Sequence, residues 1–265
     1  MTFAKSSLDP DANAYIAAVV ARGGIVNGTQ RDVINTFYRT GKSDGWYSSM
    51  KRLYLPIWRI AAANAICMTS LTSGTFMGVV THGAGYVLSN RTNGYMRTNV
   101  GIRTLGLSKD SYHFAGLYKA SSTNNYSALF GSQLDMYANK ISFSATTITA
   151  MSGYAPAIGE VKAEIPWHDR LGIFTFSGGA SSRFLKRRKT SGVTTLGTTN
   201  KTIATEPNNL NVAFLANNVN GAISNFCGEQ IGAFSLGLKL TNAQDTSYSL
   251  ALKNLWEGTT GLTLP

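Results

Sequence analysis

Carboxylates and histidines carry out most acid–base chemistry in proteins, and this chain has few of them. It contains 13 Asp and Glu and 3 His in 265 residues. Glycoside hydrolysis needs two carboxylates that face each other across a sugar. The acids of the later part of the chain are scattered and do not alternate along one predicted strand: Asp110, Asp135, Glu160, Glu164, Asp169, Glu206 and Glu229. The sequence therefore predicts a protein that is not an enzyme.

Metal and cofactor sites are not indicated either. The histidines lack the spacing of metal ligands: His82, His113 and His168. The pair His168–Asp169 favours a surface turn over a catalytic dyad, because neighbours on a strand point to opposite faces. Three asparagines beside Glu206 favour turns over a calcium site: Asn208, Asn209 and Asn211. We expect no metal and no cofactor, and for Cys67 and Cys227 we favour buried free thiols over the one compatible disulfide.

Positive charge is in excess, with 24 Lys and Arg against 13 acids and a formal net charge of +11. Such a charge favours anionic partners, but it is spread along the chain, and specific nucleic-acid binding is not expected. The densest run comprises Arg183, Lys186, Arg187, Arg188 and Lys189. Two interpretations stay open: a patch that contacts an anion or an acidic neighbour, and an edge strand whose cations deter aggregation.

Aromatic side chains on loops can stack on sugar rings. Four residues are candidates for glycan contact: Tyr86, Tyr95, Tyr154 and Trp167. Each of them is also compatible with partial burial in a core. Exposure on loops would favour a glycan-binding function.

Helices are predicted at both ends of the chain. Asp9 and Pro10 form an N-cap and first helical position, and Gly23–Gly24 ends this helix. A second helix is predicted to start at Thr29, and a third, short one at Asp44. The last helix is predicted to start at Thr241, with Gln244 in the capping-box position.

The middle of the chain consists of short apolar runs separated by Gly, Asn and Ser. Residues 112–120 alternate with period two, and residues 171–177 are apolar on both faces, as in a strand between two packed layers. Many such runs predict a mainly β, antiparallel sandwich or barrel. The predicted organisation is a helical segment (1–65), a sandwich (66–240) and a C-terminal helix with tail (241–265). The charge-free stretch 60–80 is interrupted by polar residues, and no membrane span is expected.

Three stretches resemble a known family in the same order. They are DVINTFYRTGKSDGWYSSMKRLYLPIW (32–58), THGAGYVLSNRTNGYMRTNV (81–100) and NNLNVAFLANNVNGAISNFCGEQIGAFSLGLKLTNAQ (208–244). Together they are similar to bacteriophage virion structural proteins that have a helical N-terminal segment and a lectin-like jelly roll of the concanavalin A/laminin G type. Arg187 to Gly192 stand where that family has an Asn-Gly hairpin.

The resemblance implies a non-enzymatic virion component: a tail fibre, baseplate or capsid-decorating protein. It would be made in the host cytoplasm, contact other virion proteins and form a homo-oligomer, with a trimer favoured. The alternative is a receptor-binding lectin that recognises host surface glycans. A fold does not by itself fix either function.

Overall fold

The computed structural model has two β-sheets packed face to face and a layer of helices on the outside of one sheet. It describes residues 7–120, 127–134, 137–143, 147–154, 160–165, 170–179, 181–200, 202, 206 and 209–264. Among these residues, no helix is long and apolar enough to cross a membrane.

The helices begin where side chains can cap them. Helix α1 spans Pro10–Ala21, and the Asp9 carboxylate accepts hydrogen bonds from the first-turn amides, as predicted. Helix α2 spans Gly28–Ser43, and the predicted start at Thr29 is wrong, because Asn27 and Gln30 form the reciprocal capping box. A short helix, α3, spans Ala61–Asn64. The last helix, α4, spans Asn242–Thr260, and its predicted Thr241–Gln244 capping box is confirmed.

The predicted third helix at Asp44 is wrong. Residues Tyr47–Ser49 form one 3₁₀ turn, and the chain then enters strand β1, Met50–Tyr54. Leu53 packs with the helices and Tyr54 packs between the sheets. Because consecutive residues of a strand point to opposite faces, these two side chains enter different cores. A five-residue strand with the sequence Met-Lys-Arg-Leu-Tyr has no period-two alternation that would distinguish it from a helix. The segment predicted as helical (1–65) therefore contributes a strand to the sandwich.

Sheet A has eight strands in the described part of the chain. They are β1, β3 (Val80–Gly83), β4 (Tyr86–Ser89), β6 (Tyr112–Ala120), β11 (Gly172–Gly178), β12 (Arg183–Lys189), β13 (Gly192–Thr199) and β17 (Gln230–Gly237). The order is β13-β12-β11-β6-β17-β4-β3, and β1 also pairs with β17. All of these pairs are antiparallel.

Sheet B has nine strands in the described residues. They are β2 (Thr75–Met77), β5 (Tyr95–Gly101), β7 (Ser127–Leu134), β8 (Tyr137–Phe143), β9 (Thr147–Tyr154), β10 (Glu160–Glu164), β14 (Asn211–Phe214), β15 (Asn217–Val219) and β16 (Ala222–Ser224). The order is β10-β9-β8-β7-β14-β5-β2, and β15 pairs with β7 and β16. The predicted mainly β, antiparallel sandwich is confirmed, with one parallel pair, β15 with β7.

Two apolar cores lie on the two faces of sheet A. Between the sheets, the rings of Phe214 and Phe234 stack with centroids 4.4 Å apart. On the other face, Leu117 and Ala233 pack against α4 through Leu252 and Trp256. Since sheet A is covered on both sides, β11 is buried along its whole length, as its apolar run predicts. Cys67 and Cys227 are both buried, and they form no disulfide with each other.

Candidate functional site

The basic run forms strand β12, which lies between β11 and β13. The interpretation as an edge strand is therefore wrong. Arg183 is almost fully buried, and its Nη1 donates to the carbonyl oxygen of Gly179 at 3.2 Å. Arg187 and Lys189 are half-buried. Contact of this run with an anion or a partner stays a prediction.

Two cations of β12 hold the C-terminal helix. Lys186 Nζ lies 3.4 Å from Asp245 Oδ2, and Asp245 is fully buried. Arg188 donates from Nε to Ser249 Oγ and from Nη2 to the carbonyl oxygen of Thr246, both at 2.9 Å. Burial raises the pKa of Asp245, and the charge of Lys186 opposes this. On the outer face of sheet A, Lys186 and Arg188 thus bind groups of α4 within the protein.

The four aromatic candidates occupy different surroundings. Tyr86 is half-buried, and Lys119 Nζ lies 4.4 Å from its ring centroid. Tyr95 is 8% exposed and lies on the outer face of sheet B, in a small cluster with Ala213 and Ala216. The side chain of Tyr154 and all of Trp167 lie outside the described residues. Tyr95 lies beside a polar cleft, next to its cleft-lining neighbour Arg97.

Neither His82 nor His113 lines that cleft. His82 Nδ1 lies 2.9 Å from Asn64 Nδ2, and burial lowers its pKa. His113 is fully buried, and burial lowers its pKa to about 3. His168 is outside the described residues. Within the described residues, no group of three His, Cys, Asp or Glu side chains could hold a metal ion.

The cleft lies on the outer face of sheet B, and three features of the chain build it. Strand β5 turns Met96 into the core between the sheets and Arg97, the next residue, outward into solvent. A bulge follows, because four steps of β5 (Arg97 to Gly101) face two of β14, and Asn99 adopts φ 59° within it. The hairpin β15–β16 forms the remaining wall, with Gly221 and Ile223 in the cleft.

The hairpin turns through Asn220 and Gly221, which have φ values of 51° and 89°. Two consecutive positive φ angles are typical of a two-residue hairpin turn, and Asn-Gly is its preferred sequence. The side-chain amide of Asn218 ties the hairpin to the sheet, since its Nδ2 donates to the carbonyl oxygen of Asn211 at 2.8 Å. That bond also identifies which atom of the amide is Nδ2 and which is Oδ1.

The cleft has a volume of about 330 Å³, within the size range of small-ligand sites. Its lining is polar at three positions that project from different strands: Arg97, Asn211 and Asn218. Leu210 and Ile223 add half-buried apolar surface. Asn209 also lines it, but its side-chain oxygen already accepts from the backbone amide of Thr104 at 3.1 Å. Asn208 lies outside the described residues.

One residue of this lining has a side-chain acceptor without a partner among the described residues. Asn218 is 7% exposed, and its Oδ1 accepts no hydrogen bond from the described residues. Leaving a buried polar atom unsatisfied costs about 1–3 kcal/mol. A donor supplied by a ligand in the cleft would remove that cost.

The sequence did not indicate that Arg97, Asn211 and Asn218 lie together in one site. Asn211 was expected in a turn, but it belongs to β14. The dipeptide Asn220–Gly221 between two short runs is the signal that could have located the hairpin wall. No local pattern could have joined Arg97 to Asn211, because the pairing of β5 with β14 brings them together.

Comparison with known proteins supports the fold. No protein-family model and no curated protein matches the chain. Among solved structures, a Trypanosoma rangeli sialidase in complex with 2,3-difluorosialic acid aligns over 85% of this chain and 40% of its own, with a TM-score of 0.56 and 11% identity. The fold is an antiparallel jelly-roll β-sandwich.

Two further solved structures align with the chain. The botulinum neurotoxin serotype D binding domain aligns over 78% of this chain and 52% of its own, with a TM-score of 0.52 and 10% identity. Domain 4 of AbnA, a GH43 extracellular arabinanase from Geobacillus stearothermophilus, in complex with arabinotriose, aligns over 77% and 98%, with a TM-score of 0.48 and 15% identity. The chain thus spans about half or less of the sialidase and toxin chains, and identities this low concern the fold alone.

Proposed function

We propose that this chain is a carbohydrate-binding, lectin-like protein that holds a glycan in the cleft on the outer face of sheet B without transforming it. The observation that carries the proposal is the buried, unpartnered Oδ1 of Asn218 in the lining of a cleft of about 330 Å³. A sugar hydroxyl can donate to this oxygen, and so fill the vacant acceptor position.

The rest of the lining suits a sugar as well. The amide of Asn211 can donate to one hydroxyl and accept from another. Arg97 is exposed and presents several N–H donors. The apolar carbons of a sugar ring can pack on Leu210 and Ile223, which provide the non-polar part of the lining. A few polar groups placed in a partly apolar cleft are typical of small-ligand sites.

The fold agrees with this proposal. A sialidase solved with 2,3-difluorosialic acid aligns with a TM-score of 0.56. The sugar ligand is a property of that protein, and the likeness of the folds supports carbohydrate as the ligand class here. The location in a virion, the contacts with other virion proteins and the trimer rest on the three sequence stretches and stay predictions.

A glycan array on the purified chain, followed by calorimetry with the strongest ligand, tests the proposal. We expect reproducible binding to a related set of glycans. Asn218→Ala should weaken it about tenfold or more, because it removes the unpartnered acceptor and the tether to β14. Asn254→Ala is the matched control, since Asn254 is an exposed asparagine of α4. Binding to no glycan, or equal affinity of both variants, would contradict the proposal.

A further inference from the structure

The cleft carries a positive charge that the proposed glycan-binding function does not require. We infer that its ligand is an acidic saccharide, one that bears a carboxylate or a sulfate group, and that Arg97 binds this group. The inference rests on the proposed function and adds the charge class of the glycan.

Arg97 is held in a defined direction at the cleft. Its Cζ lies 5.5 Å from the ring centroid of Tyr95, two residues earlier on the same face of β5. Tyr95 is 8% exposed and packs against Phe226, with ring centroids 6.2 Å apart. A guanidinium that lies over a packed aromatic ring loses part of its freedom before a ligand arrives. The donors of Arg97 are thus partly preorganised.

No acid neutralises this guanidinium in the part of the chain that the structure describes. The described residues contain no salt bridge of Arg97, and no Asp or Glu belongs to the cleft lining. Two lysines differ from it: Lys42 pairs with Asp9 and Asp11, and Lys186 pairs with Asp245. The charge of Arg97 therefore remains for a ligand.

The chemistry of the lining defines that ligand. Arginine presents a planar pair of N–H groups that matches two oxygens of a carboxylate or sulfate. Asn211 and Asn218 supply the neutral donors and acceptors that hydroxyls require. The net charge of +11 adds a long-range attraction for anions. A hydroxyl-rich molecule with one anionic group uses all of these groups at once.

An array of matched glycans tests the inference. Each core structure is presented as its neutral form, a sulfated form and a form that carries a carboxylated sugar, in 0.15 M salt, where long-range attraction is screened beyond about 8 Å. The wild-type protein should bind at least one acidic form about tenfold more tightly than its neutral parent, because charge-assisted hydrogen bonds are roughly twice as strong as neutral ones. The sulfated and carboxylated arms identify the anionic group.

Variants then assign the preference to Arg97. Arg97→Gln should reduce the preference to less than about threefold, because it removes the charge and weakens binding of the acidic form more than binding of the neutral parent. Arg97→Lys keeps the charge without the planar pair of donors and should restore the preference in part. Arg31→Gln is the matched control: it removes an equal charge from an exposed position on α2, in the helical layer.

The outcomes separate the two proposals. Equal binding of neutral and acidic forms by the wild-type protein would overturn the inference and leave the proposed function standing. An equal loss of preference in Arg31→Gln and Arg97→Gln would also overturn it, since the net charge would then be responsible. Binding to no glycan on the array would contradict the proposed function itself.

Discussion

The outer faces of the two sheets use polar residues in opposite ways. On sheet A, helices cover the face, and the charged groups beneath them are satisfied inside the protein: Lys186 by Asp245, and Arg188 by Ser249 and the backbone of Thr246. On sheet B, the face around β5 and β14 carries a cleft in which Asn218 Oδ1 has no partner among the described residues. Both faces belong to one sandwich, so the fold alone does not explain the difference.

The difference follows from what covers each face. A charge under a helix loses its hydration and must be paired, so the polar groups of sheet A stabilise the attachment of α4. On sheet B, Arg97 and Asn211 are exposed at the cleft and remain available to a ligand. A high number of charged residues on a strand therefore does not by itself predict a binding site. The run of cations on β12 is the densest in the sequence, yet two of its members anchor a helix.

The largest effect should come from breaking the buried ion pair of sheet A. Lys186→Met leaves the Asp245 carboxylate buried without its cation, which should lower the free energy of unfolding by about 3 kcal/mol at pH 7. Burial raises the pKa of Asp245, and a raised pKa lowers stability above the usual range of the carboxyl group and not below it. The loss should therefore shrink as the pH falls toward 4. Urea unfolding at several pH values measures it.

Two further variants test whether the pair or its position is responsible. Lys186→Met combined with Asp245→Asn removes both charges and should recover most of the lost stability at pH 7. Lys239→Met is the matched control, because Lys239 is exposed, and it should change stability by less than about 0.5 kcal/mol. If the double variant is as unstable as the single one, the pair does not explain the attachment of α4.

The second prediction concerns His113, also on the covered face of sheet A. Its ring packs edge-on against Tyr248 with centroids 5.2 Å apart, neither ring nitrogen has a hydrogen-bond partner among the described residues, and burial lowers its pKa to about 3. The unfolded chain takes up a proton near pH 6.5 and the folded chain does not. The free energy of unfolding should therefore decrease as the pH falls below 6.5, and the contribution of His113 to this decrease should reach about 2 kcal/mol at pH 5.

His113→Leu removes this titration and keeps an apolar contact for Tyr248. The difference in unfolding free energy between wild type and variant should move by about 2 kcal/mol in favour of the variant between pH 7.5 and pH 5. Other groups, Asp245 included, titrate in both proteins and cancel in the difference. Parallel curves over this range would mean that His113 takes up its proton in the folded protein.

The contrast between the two sheets also explains why the sequence predicts strands of sheet A but not the cleft on sheet B. Strands β6 and β11 of sheet A lie between two cores, so their apolar runs are strong, and both lie within one residue of the predicted runs. The caps at Asp9 and Thr241 were readable because a cap is local chemistry. The cleft could not be predicted from the sequence, because the pairing of β5 with β14 brings Arg97 and Asn211 together. Neither residue belongs to a local sequence motif.

The smallest effect should come from the hairpin wall of the cleft. Gly221 adopts φ 89°, and a Cβ atom there would meet no atom within 4 Å. Gly221→Ala therefore adds backbone strain and no clash, and should cost about 1 kcal/mol. Gly28→Ala is its control, because Gly28 also has open space around it but lies in the first turn of α2 without a positive φ. Thermal unfolding should separate the two, with Gly28→Ala neutral or slightly stabilising.

Measuring the glycan affinity of Gly221→Ala shows whether the hairpin forms part of the binding site. The hairpin positions Asn218 against β14, so strain at Gly221 should weaken glycan binding several-fold although the protein stays folded at 25 °C. Lys186→Met should behave in the opposite way, with a large loss of stability and unchanged affinity in the folded fraction, since Lys186 lies on sheet A. If Gly221→Ala binds glycan as tightly as the wild type, the hairpin does not form a wall of the site, and the ligand lies elsewhere on sheet B.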